Sequence, residues 1–251
     1  LYMTSPIAAS AIKTSRTNVV GAGLHLKSRV DADYLGLSEE EADAWEAKAE
    51  REFKFWAETR RCDALRLNNF YEMQALIFTG CLMNGDGFCL LKYSKPNQYM
   101  PYGLRLQLLE SDRVCTPYSM GLPLGAGMPF WGSNPENGNE IYSGVEIDKQ
   151  GATVAYWVCN QYPYAMTGYQ FTAPEWHRVP AWGAITGRPN VLHLFEPERA
   201  EQRRGVPLLA PVLEELQQLK RYEAAELMAA VISSFFTVFV TTVGLTTQLP
   251  L

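Results

Sequence analysis

The residues able to do chemistry in this chain are a few scattered acids and one cluster of arginines. Asp86 in NGDGF, Glu110 and Asp112 in LLESDRV, and Asp148 in EIDKQG could converge on a Mg²⁺ ion, as in metal-dependent nucleic-acid-processing enzymes. Each also has a plainer reading. Asp86 stands between glycines, where a short acid serves a turn. Glu110 and Asp112 share one face of a strand end with Arg113 beside them, which suits a structural ion pair. His193 alternates with apolar neighbours in VLHLF and reads as a half-buried, hydrogen-bonded histidine. No GxSxG elbow, HExxH run, Walker loop or metal-fitting Cys/His spacing occurs, and Gly21-Ala22-Gly23 lacks the third glycine of a dinucleotide fingerprint. No catalytic, cofactor-binding or metal-binding residue is therefore expected. Arg199, Arg203 and Arg204 stand among Glu196, Glu198 and Glu201 as a solvated charge cluster, or as forks for a neighbouring chain or DNA.

The arginines lead into the element around which the chain is organised. Pro207 and Pro211 fit only a first turn, and no further proline occurs before Pro250, so a helix is expected over 207–240. At 1.5 Å per residue, about 30 residues give roughly 45 Å. In its first half Val212, Leu213, Leu216, Leu219 and Tyr222 recur at helical spacing, with Glu214, Gln217, Gln218 and Arg221 on the other side. From Leu227 onward no charged residue occurs, and Met228, Val231, Ile232, Phe235 and Phe236 surround the axis. Three environments could enclose that half: a membrane through 227–245, the core of one large domain, or copies of the same helix in a ring. Ser233, Ser234, Thr237, Thr241 and Thr242 count against lipid, and Ala224, Ala225, Ala229 and Ala230 would allow close approach between helices.

Upstream, Ser5 with Pro6 starts a helix that Gly21 stops, and a short strand is expected to follow to Leu26. Ser38 and Glu41 form a capping box for a helix burying Ala42, Trp45, Ala49, Phe53 and Trp56, and Asn69 caps a helix ending near Gly85. From Asp86 the period changes to two, with strands at 88–93 and 104–109, a hairpin over 146–158 turning at DKQG, and a last strand at 191–195. Residues 117–139 read as a long loop. The fold class is α+β, with a helical part over 1–85, a β-rich part over 86–195 and the long helix within 196–251.

The net charge of −5 does not suit a protein that grips nucleic acid over its whole surface. Five unspaced cysteines read as reduced, mostly buried thiols of a cytosolic product. No secretory signal opens the sequence, and the chain reads as a piece of a longer polypeptide.

Residues 18–26 (NVVGAGLHL), 85–88 (GDGF), 106–114 (LQLLESDRV), 144–158 and, above all, 191–236 resemble the portal proteins of tailed bacteriophages, lambda type. The most specific part is Arg199, Gln202, Arg204 and Gly205 in R-x-x-Q-x-R-G. The resemblance implies a ring, usually of twelve copies, at one capsid vertex of the virion, assembled in the bacterial host cytoplasm. Double-stranded DNA would enter and leave through it. The implied partners are the terminase large subunit, a head-tail connector or adaptor protein and the major capsid protein, with no membrane and no cofactor. The β-rich middle would supply wing and clip, and the long helix would run beside the channel. Arg199, Gln202, Arg203, Arg204, Glu214, Gln218, Arg221, Phe235 and Phe236 are then the candidates for subunit-interface or DNA-facing positions. An acidic or neutral wall with a few arginines suits a conduit that must not hold its DNA.

Overall fold

The structure is a computed structural model that describes residues 2, 5–117, 132–162 and 174–235. Expectations for 118–131 and for 236–251, Phe236 among them, lie outside the described residues. The chain divides into two compact units, Leu1–Ala210 and Pro211–Leu251.

In the first unit, helix α1 (Pro6–Val19) begins at Ser5, whose hydroxyl accepts from the Ala8 amide. Gly21 follows at φ +54°. The strand expected after it does not form. Leu24 instead exchanges both backbone hydrogen bonds with the Gln74 carboxamide, at 2.7 and 3.2 Å, and Ser28 and Val30 donate to Glu50 and Glu46. Side chains thus take the place of a ladder partner and hold the segment extended.

A short helix α2 (Ala32–Leu35) precedes α3 (Glu39–Glu58), which carries the Ser38/Glu41 capping box. Its buried residues are Ala42, Trp56 and Ala57, whereas Trp45 is exposed. Trp45 was expected on the buried face, but the first half of α3 meets the chain through Glu46 and Glu50. Helix α4 (Phe70–Asn84) has its own capping box, Asn69 with Glu72, and ends at left-handed Gly85.

Two antiparallel sheets follow. The first has order β2-β1-β7, from β1 (Asp86–Tyr93), β2 (Leu104–Leu109) and β7 (Val191–Phe195). The second has order β3-β4-β5-β6, from β3 (Glu140–Tyr142), β4 (Val145–Ile147), β5 (Thr153–Cys159) and β6 (Trp176–Pro180). The expected DKQG turn joins β4 to β5: Asp148 Oδ1 accepts from the Gln150 and Ala152 amides, and Gly151 takes φ +85°.

Strand β1 is central and alternates between two cores. Phe88 and Leu90 pack with Val145, Ile147, Tyr156 and Val158 between the sheets. Cys89 and the partly buried Leu91 pack with Trp56, Met73 and Leu106 beneath the helices. Strands β3 and β6 carry weak sequence signals because they lie toward the edges: β3 is three residues long, and β6 sends Arg178 outward and ends on a proline.

What fixes the outer face of the second sheet is one buried acid, Glu146, which is fully enclosed. Its carboxylate accepts from Asn134, Asn137, Asn139 and Trp157, and from Arg178 Nε and Nη2 at 2.7 and 2.9 Å. Burial alone would raise its pKa, but these donors outweigh it and bring the pKa down to about 2. A carboxyl held below its ordinary 4.5 contributes stability that is present above pH 4.5 and lost as pH falls towards 2. Glu146→Gln is therefore expected to cost about 3 kcal/mol at pH 7, read from urea midpoints, and to flatten the loss of stability between pH 4.5 and 2.

Candidate functional site

Of the residues that the sequence singles out, Asp86, His193, Gln202 and Arg204 meet around the segment linking β7 to Ala210. The centre is Asp86, the first residue of β1, only 1% exposed. Arg204 reaches it from the linking segment. Arg204 Nε and Nη2 engage the two Asp86 oxygens, Nη1 donates to the carbonyls of Val114 and Ser143 at 2.8 and 2.6 Å, and Nη2 donates to Ser111 at 3.1 Å. All five guanidinium N–H groups are thereby used, on acceptors from both sheets and the chain between them. The guanidinium also lies 5.1 Å above the Phe88 ring.

His193 Nε2 lies 3.3 Å from Asp86 Oδ2, and its ring is stacked between Phe88 and Phe195, with centroids at 4.2 and 4.4 Å. Burial would raise the Asp86 pKa, but the hydrogen bonds from His193 and Arg204 hold it well below the usual carboxylate range. The carboxylate is thus permanently charged and fully engaged. That geometry stabilises a fold, with Oδ2 accepting from His193, Arg204 and the Gly205 amide and Oδ1 from Arg204 Nη2.

Two glycines make room for the clamp. A Cβ on Gly205 would lie 1.8 Å from the Gly85 carbonyl oxygen, and Gly85 itself sits at φ +90°. Only glycine fits either position without moving backbone. Gln202 stitches the turn before them, accepting from the Glu198 and Arg199 amides and donating to the Arg204 carbonyl at 2.7 Å. Within R-x-x-Q-x-R-G, Gln202, Arg204 and Gly205 therefore have internal tasks.

Arg199 and Arg203 do not. Their guanidinium groups form no hydrogen bond or ion pair among the described residues, and they line a cleft of about 720 Å³ with Tyr142, Ser143, Lys149 and Glu201. Glu214, Gln218, Arg221 and Phe235 lie in the second unit, on α5 (Leu213–Phe235), where all four are exposed. Helix α5 starts later than residue 207. A 3-10 turn over Ala210–Val212 precedes it, because Pro211 has no amide to continue a helix entered earlier.

The other acids do not converge. Among the described residues no group of three His, Cys, Asp or Glu side chains is placed to hold a metal. Arg113 does not pair with Glu110 or Asp112 as expected. Its guanidinium donates to the Cys159 carbonyl at 3.1 and 2.9 Å, tying the 3-10 turn at Ser111–Arg113 to the end of β5. Burial pushes the thiols of Cys62, Cys81 and Cys89 up to about 11, so they stay protonated near neutral pH.

The Asp86 and Glu146 networks were not legible as such. Asp86 looked like a turn residue, and its partner stands more than a hundred residues later. The signal for Glu146 was an acid between Val145 and Ile147 in a strand, with the amide-rich NPENGN just upstream. The clamp predicts that Arg204→Lys, which keeps the charge but loses the fork, costs about 3 kcal/mol in urea unfolding. Asp86→Asn should cost a similar amount, and an unchanged midpoint in both variants would contradict the clamp.

The whole chain matches known proteins in one way. Residues 1–249 match the model of the family described as phage portal protein, lambda family. Portal protein B of Escherichia phage lambda is 26% identical over 235 residues, covering 91% of this chain and 39% of that protein. A probable portal protein of Halomonas phage phiHAP-1 is 29% identical over 221 residues, 86% of this chain and 36% of the relative. The portal protein of Escherichia phage N15 is 26% identical over 235 residues, again 91% and 39%. The chain thus spans about two-fifths of the length of these relatives. With nearly every residue inside the family match, the chain belongs to the lambda family of phage portal proteins.

Proposed function

We propose that this chain is part of the protomer of a ring at one vertex of a phage capsid, through which double-stranded DNA is packaged and later ejected. The observation that carries the reading is α5. It is 23 residues long, about 35 Å, and has no buried residue, although Leu227, Met228, Val231, Ile232 and Phe235 are all large and apolar. Phe235 is 80% exposed. Apolar surface of this extent on a helix calls for a cover. No helix among the described residues is long and apolar enough to cross a membrane. In a closed ring each protomer presents two different faces to its neighbours, so such a helix is covered by copies of itself.

In this reading the helical part over 1–85 and the β-rich part over 86–195 form wing and clip, and 196–251 forms the stem beside the channel. Glu214, Gln218 and Arg221 recur at helical spacing and make a polar stripe suited to a water-filled conduit. Arg199 and Arg203, with their unused forks, serve a neighbouring subunit: their cleft also holds Glu140, Asp148 and Glu201, a mixed-sign wall that suits a peptide surface better than phosphates. The ring, usually twelve copies in portal proteins, would be a virion component with a structural role. It would dock the terminase large subunit, the head-tail connector and the major capsid protein.

The full-length protein is expected to appear as closed rings in negative stain and as a single multimer by native mass spectrometry. Met228→Glu with Ile232→Glu should abolish the rings and shift protomer stability by no more than about 0.5 kcal/mol, since both residues are exposed in this chain. A stable monomer from the unaltered protein under all conditions would count against the ring.

A further inference from the structure

The chain is acidic, yet cations outnumber acids on one surface of its first unit. Beside Glu58, Glu72 and Glu52, the last accepting from the Tyr102 hydroxyl, residues 59–71 and 87–109 hold six of the 22 Lys and Arg side chains and one of the 27 Asp and Glu side chains. That one acid, Asp63, is buried and turned inward, accepting from the amides of Leu65, Leu67 and Asn68. The two stretches lie side by side. Ala64 donates to the Leu106 carbonyl at 2.7 Å, and the Arg61 guanidinium lies 4.9 Å from the centre of the Tyr99 ring.

The β1–β2 hairpin ends in an ordered finger laid over this surface. Its tip is closed by reciprocal backbone bonds between Asn97 and Met100, both at 3.0 Å, and by the Asn97 carboxamide accepting from Tyr99 and Met100. Met100, within this tip, is buried against Trp56 and Cys62 beneath the helices. From Lys92 to Tyr99 the sequence reads KYSKPNQY: every side chain except Pro96 can donate a hydrogen bond, and none is acidic. All eight residues are exposed, Tyr93 at 69% and Tyr99 at 67%.

Lys92 stands directly opposite Arg105 in the ladder, a like-charge pair that weakens a hairpin unless something else rewards it. Arg105 folds back onto the Tyr102 and Leu104 carbonyls, while Lys92, Lys95, Arg60, Arg61 and Arg66 form no ion pair among the described residues.

We infer that this finger, with the adjoining Arg60 and Arg61, is a contact for the phosphodiester backbone of double-stranded DNA. The site is separate from the α5 stripe and rests only on its own charge pattern. Phosphates are met by Lys and Arg together with Ser, Asn, Gln and Tyr donors, which is the composition of the tip. Single strands are held in grooves with free aromatic platforms, whereas here the Tyr99 face is occupied by Arg61. Leu65 and Leu67, exposed beside Arg66, would suit an acidic protein instead, and the test includes that outcome.

The test is fluorescence anisotropy of the full-length protein with a labelled duplex of about 30 base pairs, across a salt series. Each phosphate contact contributes about −0.9 to the slope of log K against log salt, so the triple variant Arg60→Ala, Lys92→Ala, Lys95→Ala should lose about 3 from the slope and bind roughly 10- to 100-fold more weakly. A control triple on α1 and α3, Lys13→Ala, Arg16→Ala, Lys48→Ala, should leave the slope unchanged. Negative stain of the same samples separates this proposal from ring assembly. If the triple variant loses its rings, the tip variant Lys95→Ala carries the test, with an expected loss of about 1 in slope. An unchanged slope in the finger variants overturns the inference. So does poly-glutamate competing as well as duplex per unit charge, or a same-length single strand binding more tightly than the duplex.

Discussion

Everything in the first unit is arranged around a buried ion pair between two residues more than a hundred positions apart. Asp86 begins the central strand and Arg204 ends the segment that leaves the last one, so their pairing closes the sheet region on itself. Because Arg204 also holds the carbonyls of Ser111, Val114 and Ser143, one guanidinium fixes β1, the β2–β3 connection and the β3–β4 turn to the departing chain. Removing one partner of such a pair leaves a charge in a place without water, which is far more costly than a surface pair of the same geometry. The glycine pair Gly85 and Gly205 is the steric counterpart of this electrostatic lock.

A second constraint separates inside from outside. The first unit buries large apolar residues in two cores, between the sheets and beneath the helices, and gives its buried acids Asp86, Glu146 and Asp63 hydrogen-bond donors on both oxygens. Among the described residues, none of helix α5 is buried. The division falls at Pro211, immediately after the segment that Leu208 pins to the Leu82 carbonyl at the end of α4. The first unit packs on its own contacts, and the large apolar side chains of α5 stand exposed.

The local elements were legible because their signals are local. Ser5 with Pro6, Ser38 with Glu41, Asn69 before Gly85, and the DKQG turn each settle a boundary within a few residues, and each forms as its chemistry dictates. What escaped depends on partners far along the chain. The segment after Gly23 had strand composition but found the Gln74 side chain in place of a strand, and Asp86 had turn composition but found Arg204. Strand β6 was hidden because its Arg178 serves Glu146. The arginine cluster was visible as a unit, but its division into an inward Arg204 and an Arg199 and Arg203 that line a cleft is a property of the fold alone.

The first unit is held by its own buried contacts, and the proposed ring would cover α5 with other copies. Hydrogen-deuterium exchange of the full-length protein, compared between assembled particles and dissociated protomers, tests this most directly. The account predicts that peptides from 86–93 and 191–195 are equally protected in both states, while peptides from 213–235 are protected only in the assembled particle. Equal, strong protection of 213–235 in the dissociated protomer would contradict it, because the helix would then be covered by its own chain.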